Sequence, residues 1–153
     1  EGQPKDLGVA TTAANEVQPQ LSPDGKWIAF ASDETGRNEI YVQAFPAAGS
    51  RRLVSIDGGV QPRWRPDGKE LFYVAPDATL MAAPVVSANP ITFGSPVALF
   101  KSPATRATAS GLGTRAQYDI APDGRRILIN VSLVEPESPP IHVLLNWTAG
   151  LQK

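Results

Sequence analysis

The chain contains no cysteine, one histidine and one methionine in 153 residues. Without thiols, disulfides and thiolate metal sites are excluded, and a lone histidine leaves zinc without its usual nitrogen donors. No apolar run approaches the roughly 20 residues that a helix needs to cross a bilayer, so no membrane insertion is expected. The opening Glu1-Gly2-Gln3-Pro4-Lys5-Asp6 lacks the pattern of a signal peptide. Helical periodicity is missing too, since apolar residues nowhere recur at helical spacing for three turns. Nor is one sign of charge in excess. With 14 Lys and Arg against 15 Asp and Glu, the formal net charge of −1 gives no electrostatic reason to expect nucleic acid as a partner.

What the sequence does have is punctuation. Thirteen glycines and 15 prolines separate short runs rich in β-branched and aromatic residues, several of which alternate with period two. The reading is all-β. Apolar residues at 42% and charged residues at 19% suit a single globular segment over 1–153.

Three stretches align without gaps. The first is Gln18-Pro19-Gln20-Leu21-Ser22-Pro23-Asp24-Gly25-Lys26-Trp27-Ile28-Ala29-Phe30. The second is Gln61-Pro62-Arg63-Trp64-Arg65-Pro66-Asp67-Gly68-Lys69-Glu70-Leu71-Phe72-Tyr73. The third is Gln117-Tyr118-Asp119-Ile120-Ala121-Pro122-Asp123-Gly124-Arg125-Arg126-Ile127-Leu128-Ile129. Asp24 and Asp67 lie 43 positions apart, about the 40–45 residues of a four-stranded propeller blade. Asp67 and Asp123 lie 56 apart, and the surplus falls in a Ser/Thr/Ala/Gly stretch, Lys101 to Arg115. Each Pro-Asp-Gly reads as a tight turn: proline presets φ, aspartate bonds the following backbone, and glycine takes the left-handed position.

The expected architecture is therefore three four-stranded antiparallel propeller blades, half of a six-bladed β-propeller. Blade 1 covers about 17–57, blade 2 about 60–100 and blade 3 about 116–147. Residues 101–115 form an inserted loop. The third blade lacks a fourth strand, and residues 1–16, with Val9, Thr11 and Thr12, are expected to supply a closing strand that protects the sheet edge.

The Gln-Pro-Xaa-aromatic-Xaa-Pro-Asp-Gly-Lys pattern is followed by Asp33-Glu34-Thr35-Gly36-Arg37-Asn38 and Glu39-Ile40-Tyr41-Val42. Together they resemble the TolB-like β-propeller repeat, a WD-repeat-like family, from Val17 to Trp147. The C-terminal half, with Tyr118-Asp119 and the ending Leu144-Leu145-Asn146-Trp147, is similar to propellers that end bacterial receptor-like serine/threonine kinases. No kinase catalytic motif occurs, so that activity does not transfer. The resemblance implies a binding or sensing module and favours a periplasmic or extracytoplasmic location. TolB-like rings usually have six blades. Three repeats imply either a segment of a longer chain or a homodimer that closes the ring about a twofold axis.

No catalytic constellation emerges, and no enzyme, cofactor or metal is expected. His142 would be needed for a Ser-His-Asp triad, yet there is no Gly-Xaa-Ser-Xaa-Gly elbow, and a strand histidine is read as structural. The turn aspartates have the oxygen chemistry of calcium ligands, but each occurs singly where aspartate has a local role. Trp64 and Tyr118 are read as packing or as the wall of a ligand site. Repeat-equivalent positions of the innermost strands hold Gln18, Gln61 and Gln117, then Gln20, Arg63 and Asp119. These six are the candidate ligand-binding residues of a central channel, with polar lining as the alternative. The function expected is a non-enzymatic binding or scaffold module for a protein, peptide or small polar ligand. The rival is an accessory or sensor propeller of a larger enzyme, a kinase or peptidase.

Overall fold

The Pro-Asp-Gly turns share one geometry. The glycine N–H donates to the carbonyl three residues earlier, Gly25 to Ser22 at 2.9 Å, Gly68 to Arg65 at 2.8 Å and Gly124 to Ala121 at 2.8 Å. Asp24, Asp67 and Asp123 each accept through Oδ1 from the N–H two residues on, at 3.1, 3.1 and 2.9 Å. The glycines sit at φ 69°, 71° and 64°, where a side chain is disfavoured. A fourth turn of this kind is less visible in the sequence because alanine holds the glycine position. In Pro76-Asp77-Ala78, the Ala78 N–H reaches the Ala75 carbonyl at 3.0 Å and Asp77 accepts from Thr79 N at 3.1 Å. Ala78 has φ 70°. Replacing Ala78 by glycine should therefore stabilise the protein by about 1 kcal/mol. A thermal melt should rise by roughly 2–4 °C, and a lower midpoint would contradict this turn geometry.

The computed structural model describes residues 13–46, 49–102 and 116–130. Among these there are eleven strands and no helix. β1 (Glu16–Leu21), β2 (Trp27–Ser32), β3 (Glu39–Ala44) and β4 (Arg52–Leu53) form a four-stranded antiparallel meander in chain order. β5 (Val60–Trp64), β6 (Glu70–Val74) and β7 (Thr79–Ala88) form a second, in which both β8 (Ile91–Phe93) and β9 (Val97–Lys101) pair with β7. β10 (Tyr118–Ile120) and β11 (Ile127–Ile129) make a third, two-stranded sheet.

The sequence places most of these strands within a few residues. β1 begins at Glu16, one residue inside the expected closing segment, and Lys101 ends β9 instead of opening a loop. β8 is an additional strand, so the second sheet has five strands where four were expected. The closing strand before Ala13, most of the 101–115 insertion, His142 and the strand at Ile141–Trp147 lie outside the described residues.

The sheets stack face to face. Ala29, Ala31, Ile40, Val42 and Val54 of the first meander and its outgoing loop meet Trp64, Leu71, Tyr73, Ala83 and Ile91 of the second. The small alanines leave room for the indole and phenol rings opposite, which interdigitate as a close-packed core requires. Phe72, Val74, Leu80 and Ala82 on the other face of the second sheet pack on Tyr118, with Ile120, Ile127 and Ile129 flanking them. Period-two alternation along β6 thus serves two cores, Leu71 and Tyr73 on one side and Phe72 and Val74 on the other.

A buried carboxylate fixes the passage between the first two sheets. Glu39 is 3% exposed. Its Oε1 accepts from Arg37 Nε at 2.7 Å, and its Oε2 accepts from the Ser55 hydroxyl and, at 3.0 Å, from Gly58 N. Ser55 Oγ in turn accepts from Ile40 N at 2.8 Å. The chain can turn closely here because Gly59 has no side chain: a Cβ would stand 2.8 Å from Ile40 and 2.9 Å from Tyr73.

Candidate functional site

β1, β5 and β10 are the first strands of their sheets and lie side by side, β5 in contact with both of the others. They are joined by side chains. Gln18 Oε1 accepts from Gln61 N at 2.7 Å, and Gln61 Oε1 accepts from Gln117 N at 2.8 Å. Gln18 and Gln61 thus each reach across to the backbone of the repeat equivalent in the next repeat.

This reach depends on an unusual backbone. β1 and β5 each carry a register shift, between Val17 and Gln20 and between Val60 and Arg63. Gln18 and Gln61 occupy these shifts at φ 58° and 57°. A left-handed residue at a bulge turns its side chain away from its own ladder. For a residue with a Cβ it costs about 1–2 kcal/mol, which the inter-sheet bond offsets.

The aromatic candidates fall into packing. Trp64 is buried against Phe93, with ring centroids 6.1 Å apart, and its Nε1–H donates to the Gln20 carbonyl at 3.2 Å. Tyr118 is also buried, and its hydroxyl donates to the Gln61 carbonyl at 2.7 Å. Burial pushes the Tyr118 phenol far above its ordinary pKa, so it stays a neutral donor.

Along the three first strands run two hollows. One, of about 180 Å³, is bordered by Gln18, Gln20, Gln61 and Arg63. The other, of about 510 Å³, is bordered by Arg63, Gln117, Tyr118, Asp119 and Asn130. The six residues expected from the repeat are thus divided between two adjoining hollows along this inter-strand groove, with Arg63 lining both. The Arg63 guanidinium is held by a bond from Nη1 to the Pro62 carbonyl at 3.0 Å. Asp119 approaches its Nε only to 3.8 Å and remains largely exposed. The groove therefore presents a positioned cation, a solvated carboxylate and the Gln20 amide.

Ala116 and Asn130 also border the groove, and sequence reasoning did not single them out. Asn130 carried a signal, because its repeat equivalents Ala31 and Val74 are apolar and buried. Among the described residues no group of three or more His, Asp and Glu side chains is placed to hold a metal ion.

No family model matches this chain. A solved structure from Agrobacterium tumefaciens, provisionally described as TolB, is similar over 60% of this chain, with 21% sequence identity and a TM-score of 0.48. This chain covers 35% of that one. A stretch of 58 residues is 38% identical to YuxL of Bacillus subtilis (strain 168), an uncharacterised peptidase. That stretch is 37% of this chain but only 9% of the curated relative, so the resemblance concerns a small part of that protein.

Proposed function

We propose that this chain is a non-enzymatic binding module of TolB-like propeller type, its sheets being consecutive blades, with a peptide or small polar ligand bound along the groove of β1, β5 and β10. The observation that carries this reading is that Gln20, Arg63 and Asp119, one from each repeat, border two adjoining hollows, Gln20 in one, Asp119 in the other and Arg63 in both. Loops and edges on a rigid β scaffold are where recognition commonly sits, and a part-buried arginine positions a planar donor set for a carboxylate or a peptide carbonyl.

The partner that completes the ring is a second copy of the chain. Leu128 is the repeat equivalent of Ala29 and Phe72, each of which packs on the following sheet, yet Leu128 is 74% exposed. A second sheet packed on this face would bury Leu128 as its equivalents are buried, and two copies would give six blades about a twofold axis. An accessory role beside a catalytic domain is a second reading, favoured by the similarity to part of a protein described as a peptidase.

Chemical-shift mapping of the isotope-labelled chain with acidic, basic and neutral tripeptides tests the groove. Saturable shifts at the amides of Gln20, Arg63 and Asp119, lost in Arg63→Ala, are expected. Shifts that avoid these positions, or that persist in Arg63→Ala, would contradict it.

A further inference from the structure

A different cavity, of about 330 Å³, lies between the Pro-Asp-Gly turn of the first sheet and that of the second. Its apolar wall includes Trp27, Trp64, Val85 and Ile91, and Asp24 and Asp67 supply carboxylates. Among the described residues no lysine or arginine lines it, although the Lys26 ammonium lies near enough to act on Asp24. Its size falls within the roughly 300–1,000 Å³ of small-molecule sites.

The next gap along, between the turns of the second and third sheets, shows what chemistry suits this geometry. There Arg65 carries its guanidinium across the gap. Nη1 donates to Glu70 at 2.8 Å and Nε lies 3.4 Å from Asp67. The same Nε stands 3.0 Å from where a Cβ on Gly124 would be. In the first gap every partner of that arginine has its repeat equivalent. Asp24 replaces Asp67, Gly68 replaces Gly124, and Trp27 replaces Glu70. The arginine itself is absent, because Ser22 holds the place of Arg65, and the Glu70 carboxylate is exchanged for the Trp27 indole.

We propose that the cavity between the first two Pro-Asp-Gly turns binds a small organic cation, an ammonium carried on an apolar or aromatic body. Asp24 provides the charge. Its Oδ1 accepts from the Ser22 hydroxyl at 2.6 Å and from Lys26 N at 3.1 Å. Those two donors, the hydroxyl foremost, also hold the carboxyl below its ordinary pKa and so keep it anionic at neutral pH. The indole of Trp27 supplies a π face where the second gap has the Glu70 carboxylate, an exchange that suits alkyl and aryl ammonium over a fully hydrated ion. The aliphatic wall of Val85 and Ile91 receives the body of the ligand.

Benzylammonium is the probe, read by the indole N–H resonances of Trp27 and Trp64 in the isotope-labelled full chain. Saturable shifts are expected, with benzyl alcohol, the neutral analogue, binding about tenfold more weakly. Asp24→Asn retains the turn acceptor and should weaken benzylammonium by about fivefold. Ser22→Arg, which gives the first gap the cation of the second, should abolish binding while its melting curve stays cooperative. If Ser22→Arg does not fold, Ala88→Arg at the exposed border of the cavity should block it instead. Absence of saturable shifts, equal binding of benzyl alcohol, or unchanged binding in the folded arginine variant would each overturn the proposal.

Discussion

Replacing Glu39 by alanine is expected to lower the stability of the chain by about 3 kcal/mol. The carboxylate is almost fully buried and satisfies three donors, from Arg37, Ser55 and Gly58. Removing it leaves the Gly58 N–H and the Ser55 hydroxyl in a dry passage with no acceptor, and the cost of orphaned buried donors exceeds the modest net gain of an ordinary hydrogen bond. Arg37 loses little by comparison, because more than half of its side chain is in water. Ser55→Ala should be milder, since Ile40 N then loses one acceptor while Glu39 keeps Arg37 and Gly58. The measurement is urea unfolding with unchanged slope. A loss below about 1 kcal/mol for Glu39→Ala would show that water enters this passage and that the network does not fix the first sheet to the second.

The second large effect is expected at the glutamine ladder. Gln18→Ala should cost about 2 kcal/mol, because the Gln61 N–H, buried between β1 and β5, loses its partner. The two components of this site can be separated by choice of substitution. Gln18→Glu keeps an acceptor oxygen and should be close to neutral. Gln18→Gly loses the bond but relieves the left-handed backbone, so it should be less damaging than alanine by about 1 kcal/mol. Hydrogen exchange reads the same bond directly: the Gln61 amide should exchange faster in Gln18→Ala and the Gln117 amide in Gln61→Ala. If Gln18→Gly were worse than Gln18→Ala, the left-handed geometry at φ 58° would be wrong.

How far the sequence reached depends on whether a feature was written in residue type or in conformation. The Pro-Asp-Gly turns were legible because each residue has a position-specific role that its chemistry advertises. The turn at Asp77 was harder to see, because alanine rarely takes positive φ and nothing in its side chain marks the exception. The register of Gln18, Gln61 and Gln117 was plain, and so was the place of the first two on β1 and β5, with Gln117 just before β10. Their bonding was not, since a glutamine in the left-handed region at a bulge has no local sequence signal. Glu39 read as the polar start of a strand, and its burial arises only when the Ser55–Gly59 passage folds back over it. β8 was hidden behind Asn89-Pro90, which reads as a loop, while Ile91–Phe93 is too short to declare itself as a strand.

We propose that the stacked sheets are half of a propeller ring and that a second copy covers the exposed face around Leu128. Light scattering on a sizing column tests it most directly, because one chain has a mass of 16.3 kDa. A ring closed by two copies would have twice that mass, reduced to a single chain by Leu128→Asp with the melting curve still cooperative. A monomeric wild-type chain at concentrations where it is fully folded would contradict it.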